Sequence, residues 1–206
     1  MRCNLRHEKI LRVLGCNIIA GIDEAGRGPL AGPVVAAVVI LPASFRHRVL
    51  RDSKQLTEIQ RESIFAELTA RSDVCWAAAA VENDEIDRLN ILRASHEAMR
   101  RALTKLSVQP EHVLIDGLPV PSFPIAQTAL VGGDNLSFSI AAASVVAKVT
   151  RDRIMTEMDM RHPGYEFSQH KGYATSLHLE RLKVNGPCPI HRRSFFPVAQ
   201  TYFSFA

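Results

Sequence analysis

Two apolar stretches stand close together near the start of the chain, at 17–22 and 34–41. Both read as β-strands, and the second, with no polar interruption, reads as buried on both faces. Residues 26–33 between them carry glycines and prolines and read as a connection. Thr57 and Gln60 have the spacing of a capping box before an amphipathic helix that reaches about residue 70. Residues 74–81 read as a third strand, although a run of four alanines leaves a helix open. The clearest helix is 91–106, where Ile91, Ser95, Ala98, Met99, Ala102, Leu103 and Leu106 mark one face. Two further apolar runs, 112–115 and 125–131, read as strands that stop at Asp116-Gly117 and at Gly132-Gly133-Asp134. A long helix is expected from 137 to about 160, with small residues at its start, then a Pro/Gly-marked segment at 162–172 and a last helix near 175–184.

This order predicts an α/β fold, a mixed β-sheet flanked by helices with a helical C-terminal segment. A length of 206 residues suits one domain, with a core over 17–160 and a C-terminal segment over 161–206. No internal repeat is visible, and residues 1–14 carry no assignable role.

Composition narrows the class. With 47% hydrophobic and 22% charged residues the chain reads as a soluble globular protein. The net charge of +4 is modest, but residues 146–206 hold nine Lys/Arg against five Asp/Glu, while 1–145 hold sixteen of each. The C-terminal excess, with His162, His170, His178 and His191 beside it, favours a polyanionic partner. Cys3, Cys16, Cys75 and Cys188 have no C-x-x-C spacing, so neither a zinc site nor a disulfide framework is expected. Arg2, Arg6, Glu8, Lys9 and Arg12 interrupt any apolar core of a signal peptide. The longest apolar run, 32–42, is too short to span a bilayer and holds two prolines. A cytoplasmic protein without a membrane partner is expected, monomeric by default.

The candidate chemistry lies at strand ends. Asp23, Glu24, Asp116 and Asp134 each follow an apolar run beside glycine or another turn residue. Carboxylates gathered at such an edge repel one another without a cation. Two Mg²⁺ or Mn²⁺ ions about 3.5–4 Å apart would neutralise them and hold an in-line displacement at phosphorus, and an oxygen-only ligand set disfavours zinc. Adjacent side chains on a regular strand point to opposite faces, so Asp23 and Glu24 share one site only if the strand bends or ends between them. Taken alone, Asp116 and Asp134 are as readily ordinary turn acids. The turn Gly26-Arg27-Gly28 offers exposed backbone and a cation to a sugar-phosphate chain. Ser144, Lys148 and Arg151 recur at helical spacing and form one candidate phosphate-facing stripe, with Arg153 close by; a packed serine and solvated arginines are the plain alternative.

Seven segments together resemble the ribonuclease HII family. They are GIDEAGRGPLAGPVVAA at 21–37, DSKQL at 52–56, EIDRLNI at 85–91, VLIDG at 113–117, AAASVVAKVTRD at 141–152, HKGYAT at 170–175 and HRRSF at 191–195. The resemblance implies a ribonuclease H-like fold and endonucleolytic hydrolysis of RNA paired with DNA, including a cut on the 5′ side of a single ribonucleotide in duplex DNA. It implies a divalent metal, Mn²⁺ or Mg²⁺, products with 3′-hydroxyl and 5′-phosphate ends, and no organic cofactor. The family's four acids fall on Asp23, Glu24, Asp116 and Asp134, its glycine-arginine-glycine turn on Gly26, Arg27 and Gly28, and its sugar-sensing tyrosine on Tyr173. Without the resemblance Tyr173 is a surface aromatic between Gly172 and Ala174. His170, Lys171, His191, Arg192 and Arg193 are expected as accessory or structural residues. The chain departs from the family at Gly132, where a lysine is common, which removes one cation beside the acids. Two other readings compete: a different ribonuclease H-like phosphoryl transferase, such as a resolvase or integrase, and a non-catalytic nucleic-acid-binding module. The first needs no 2′-hydroxyl sensor, and the second is better without acids near its polyanion.

Overall fold

In the computed structural model, which describes residues 3–204 and the side chains of 3–201, five strands form one mixed sheet. They are β1 (Ile19–Ala25), β2 (Val34–Ile40), β3 (Cys75–Val81), β4 (His112–Asp116) and β5 (Gln127–Leu130), in the order β3-β2-β1-β4-β5. β1, β2 and β3 pair antiparallel, whereas β4 lies parallel to both β1 and β5. The central position of β1 and its parallel neighbour β4 bring their C-terminal ends, and hence Asp23 and Asp116, to the same edge.

The helices are α1 (Arg6–Val13), α2 (Glu58–Ala70), α3 (Asn83–Leu89), α4 (Ile91–Thr104), α5 (Phe138–Arg161), α6 (Phe167–His170), α7 (Ser176–Asn185) and α8 (Val198–Ser204). Alternation along β2 builds both layers. Ala37 and Val39 pack with Ala142, Val145 and Val146 of α5 and with Ile64 and Leu68 of α2. Ala36 and Val38 pack with Ala98, Met99 and Leu103 of α4 on the opposite face. A strand without polar residues is therefore buried on both sides, as its pattern predicts. The four alanines of 77–80 belong to a strand, because register with β2 lets Ala77 and Ala79 fill the α4 side.

The start of α5 lies almost against β1: a Cβ on Gly21 would run into the backbone of Ser139 and Ile140. This close approach sets Asp134, in a short 3₁₀ turn (Gly133–Asn135) before the helix, beside the end of β1. Ser137 caps α5 by accepting from the Ile140 amide at 3.2 Å. The capping box predicted at Thr57 is present on α2.

Four helices, α1, α3, α6 and α8, have no counterpart in the sequence-based expectations. In α1 the buried residue is Glu8, 1% exposed, which accepts from Ser137 Oγ at 2.6 Å and from the Ser139 amide at 3.1 Å. Residues 6–13 therefore do carry a role, holding an acid at the positive end of α5; residues 1 and 2 lie outside the described residues. The C-terminal segment is helical, as expected, and returns to the 26–33 connection. Leu30 and Gly32 donate to the carbonyls of Gly172 and Ile190, and Arg192 donates to Leu30. No helix among the described residues is long and apolar enough to cross a membrane.

Candidate active site

Asp23, Asp116 and Asp134 each offer a carboxylate oxygen, and these oxygens lie within 4.8 Å of one another. Each acid is held from behind. Asp23 Oδ1 accepts from the Glu24 amide at 2.7 Å, and the Ser144 hydroxyl bonds to the same carboxylate. Ser144 Oγ in turn meets Ser53 Oγ at 2.8 Å. Asp116 Oδ1 accepts from the Gly133 amide at 2.7 Å, and Asp134 Oδ1 accepts from Asn135 Nδ2 at 3.0 Å. Burial, then Glu24 and Asp116, hold the Asp23 carboxyl well above the usual range. Burial, then Asp116 and Asp52, push Asp134 up to about 6. Such a set of hard oxygen donors, reluctant to carry charge together, fits a divalent cation.

Glu24 is not part of this triad. The expected bend between Asp23 and Glu24 does not occur: β1 stays in register through Asp23↔Ala37 and Glu24↔Ala36. Glu24 therefore leaves the strand outside the group of three carboxylate oxygens. Glu24 Oε1 instead accepts from Arg27 Nη1 at 3.3 Å. It stays electrostatically close to the set, since burial and Asp116 raise its pKa against the pull of Arg27.

The turn Gly26-Arg27-Gly28 is built on a buried arginine. Arg192, fully buried, donates from Nη2 to the Gly26 carbonyl at 2.6 Å, from Nη1 to Arg27 at 3.1 Å and from Nε to Gly32 at 2.9 Å. Burial lowers its pKa to about 9, so it stays charged at neutral pH. Gly26 needs to be glycine for the fold, because its φ is +98° and a Cβ there would meet Arg151. Gly28 has neither reason: its φ is ordinary, and a Cβ would meet nothing within 4 Å. The open space above Gly28 faces outward from the fold.

Tyr173, 40% exposed, is fixed by its backbone and by two cations against its ring. Lys148 Nζ lies 5.4 Å and the Arg151 guanidinium 5.9 Å from the ring centre. A chain of three hydrogen bonds reaches its carbonyl. The Cys188 amide donates to His191 Nδ1 at 3.0 Å, so His191 carries its proton on Nε2 and gives it to His178 Nε2 at 3.1 Å. His178 must then carry its proton on Nδ1, which donates to the Tyr173 carbonyl at 2.9 Å. Burial lowers both histidines to about 4, which keeps them neutral and the chain of donors intact. His170 accepts from the Gly172 amide at 3.1 Å and donates from Nε2 to the Tyr165 carbonyl at 2.8 Å.

The stripe Ser144, Lys148, Arg151 shares one helix face, but that face turns inward. Ser144 is 4% exposed and serves Asp23. Lys148 donates to Asp152 at 2.7 Å, and Arg151, fully buried, donates to the carbonyls of Pro33, Ala31 and Lys171. None of the three presents a free cation outward, which corrects the expectation of a phosphate-facing row. Arg153 pairs with Glu62 and covers Phe65, away from the acids. The sequence reading assigned no role to Lys54. Burial opposes its charge, yet Asp52, Asp23, Asp134 and Asp116 together raise its pKa. It supplies a cation beside the acids that the departure at Gly132 withholds. The signal was present in the 52–56 block, where a lysine follows a buried Asp52 and Ser53. The four cysteines are free thiols.

Comparison with known proteins agrees across sequence and structure. The family model described as Ribonuclease HII matches residues 20–198. A ribonuclease HII of Desulfitobacterium hafniense is 53% identical over 196 residues, covering 95% of this chain and 75% of its own length. One of Myxococcus xanthus is 50% identical over 200 residues, covering 97% of this chain and 68% of its own. The solved structure of the ribonuclease H2 from Pyrococcus horikoshii OT3 has a TM-score of 0.75 at 28% identity, covering 91% of this chain and 98% of its own.

Proposed function

The chain belongs to the ribonuclease HII family and is a ribonuclease H; from that premise we propose an endonuclease that cuts the RNA strand of RNA–DNA hybrids and cuts 5′ of single ribonucleotides in duplex DNA. The observation that carries this reading is the convergence of Asp23, Asp116 and Asp134 within 4.8 Å. With Glu24 beside them, these residues would hold two divalent ions, Mg²⁺ or Mn²⁺. Bound there, the ions supply an activated water and charge stabilisation for the leaving 3′-oxygen.

The remaining work falls to the chain. Ser144 and the Glu24 amide fix Asp23, the Gly133 amide fixes Asp116, and Asn135 fixes Asp134, so the ligand oxygens are placed before any ion arrives. Lys54 adds positive charge where a phosphate approaches. The carbonyls of Gly26 and Arg27 are bonded inward to Arg192, which leaves the amides of the turn as donors for a ribose 2′-hydroxyl. The open space at Gly28 admits the sugar edge, and Tyr173 stacks on it, held by Lys148, Arg151 and His178. A junction resolvase has no use for a ribose sensor, and a binding module has no use for three gathered acids.

The test is cleavage of an end-labelled RNA–DNA hybrid with Mg²⁺, with Mn²⁺ and with chelator. Metal-dependent cutting that Asp116→Asn abolishes, with hybrid binding retained, is the expected result. Full activity of Asp116→Asn refutes the ligand assignment.

A further inference from the structure

The sheet edge that gathers the acids opens on one side into a trough that the ribose sensor does not use. Three adjoining cavities share Phe138 as their floor. The one nearest the acids, about 710 Å³, is lined by Arg48, Arg51, Gln55 and Asn135 among others. The next, about 440 Å³, adds Arg46. The outermost, about 550 Å³, adds Arg6 and Lys9 of α1. The trough is tied directly to the metal-binding acids: Gln55 Nε2 donates to Asn135 Oδ1 at 2.7 Å, and Asn135 donates to Asp134 at 3.0 Å.

Among the described residues five cations line the trough and no carboxylate does. Among the described residues Arg46, Arg48, Arg51, Arg6 and Lys9 form no ion pair. Arg46 and Arg51 bond only to the carbonyls of Phe45 and Gln55. The nearby acid Glu67 is engaged with His47 at 3.2 Å, and Glu8 is buried under α1. The charge is also concealed in the sequence. Residues 1–54 hold nine Lys/Arg against four Asp/Glu, and 55–145 hold seven against twelve, so the sum over 1–145 cancels. Exposed like charges grouped without partners repel one another and do nothing for the fold.

We propose that this trough seats the sugar-phosphate backbone of the duplex flanking the cut, with Arg46, Arg48 and Arg51 as its phosphate contacts. The proposal rests on the nuclease reading and adds where the substrate runs beyond the acids. A duplex with one phosphate at the acids carries a further charge about every 1.7 Å along its axis. On this side, the next surface it meets is Gln55, Arg51 and Arg48. An acidic peptide with apolar anchors is the other class of occupant. Its apolar partners Ile10, Val13 and Leu14 line the far end, whereas the arginines line the end that joins the acids, and this favours nucleic acid.

The experiment compares the full chain with the triple variant Arg46→Gln, Arg48→Gln, Arg51→Gln over a salt series. One duplex carries a single ribonucleotide flanked by roughly two helical turns on each side, and a second is truncated close to the ribonucleotide. On the long duplex KM should rise in the variant with kcat kept. Three lost phosphate contacts should flatten the slope of log(kcat/KM) against log[salt] by roughly 2.7, so a fourfold rise in salt penalises the parent about 40-fold more than the variant. The truncated duplex, too short to reach the trough, should be cut equally by both proteins. Unchanged KM and slope on the long duplex, or an equal loss on both duplexes, overturns the proposal. So does normal cutting combined with lost affinity for poly-glutamate, which assigns the trough to a peptide. Anisotropy of the long duplex without divalent metal separates this question from catalysis: a steep slope that the variant flattens, from a parent that cuts nothing, sinks the nuclease reading and leaves the trough standing.

Discussion

Replacing Asp134 with asparagine should inactivate the protein and make its metal-free form more stable. Asp134 is 4% exposed, and its neighbours Asp116 and Asp52 add repulsion to the cost of burial. Its pKa of about 6 against an ordinary 3.8 means that the folded protein binds the extra proton more tightly than the unfolded chain. Stability from this group is therefore full below pH 3.8 and is lost as pH rises through about 6. Above that window the lost stability is at most roughly 3 kcal/mol, at about 1.4 kcal/mol for each tenfold difference in proton affinity between the folded and unfolded chain. Asparagine keeps an Oδ1 to accept from Asn135 and removes the charge. For a chain of this length each kcal/mol is worth roughly 2–4 °C, so the variant should melt higher in chelator at neutral pH by several degrees, up to about 12 °C. Added Mg²⁺ or Mn²⁺ should reverse the order, because an ion at a thousandfold its Kd stabilises the parent by about 4.1 kcal/mol and has lost a ligand in the variant. Circular-dichroism melts with chelator and with metal read both effects. A variant that melts below the parent in chelator refutes the account of the acids as a strained, metal-awaiting set.

Three further outcomes follow from the same contacts. Arg192→Met should cost several kcal/mol, roughly 1–3 for each carbonyl left unpaired at Gly26, Arg27 and Gly32, read by urea denaturation; a loss under about 1 kcal/mol contradicts the bonding. Relative to a His178→Asn variant, the parent should lose stability as pH drops from 6.5 towards 4, because His178 takes up a proton in the unfolded chain before the folded one; a difference that does not change across that window refutes the neutral hydrogen-bond chain. Tyr173→Ala should lower cleavage at single ribonucleotides by about tenfold or more, on the order of the stacking contribution, with little change in melting temperature; unchanged cleavage removes its sensing role.

The legible parts of the site were those that local sequence determines. Asp23 and Asp116 lie near the C-terminal ends of apolar strands that pair in parallel, and Asp134 sits in the glycine-marked turn after β5. Other features depended on tertiary choices. Strand alternation made a shared site for Asp23 and Glu24 depend on a bend or strand end between them, and pairing with β2 instead holds the strand regular there, with Glu24 outside the group of three. Helical spacing grouped Ser144, Lys148 and Arg151 correctly, yet spacing says which residues share a face and not where that face turns. α1 was invisible because its pattern is inverted, with Glu8 buried and Ile10, Val13 and Leu14 outside. The basic trough was hidden by adding charge over a window whose acidic half lies elsewhere.

The proposed site reads whether a sugar is ribose before the protein cuts. The direct measurement uses two end-labelled DNA duplexes of one sequence, one with a single embedded ribonucleotide and one all-deoxy, incubated with Mg²⁺ or Mn²⁺ and mapped at nucleotide resolution. The expected result is one cut on the 5′ side of the ribonucleotide, leaving 3′-hydroxyl and 5′-phosphate ends, and an intact all-deoxy duplex. No cut with either metal, or equal cutting of both duplexes, contradicts it.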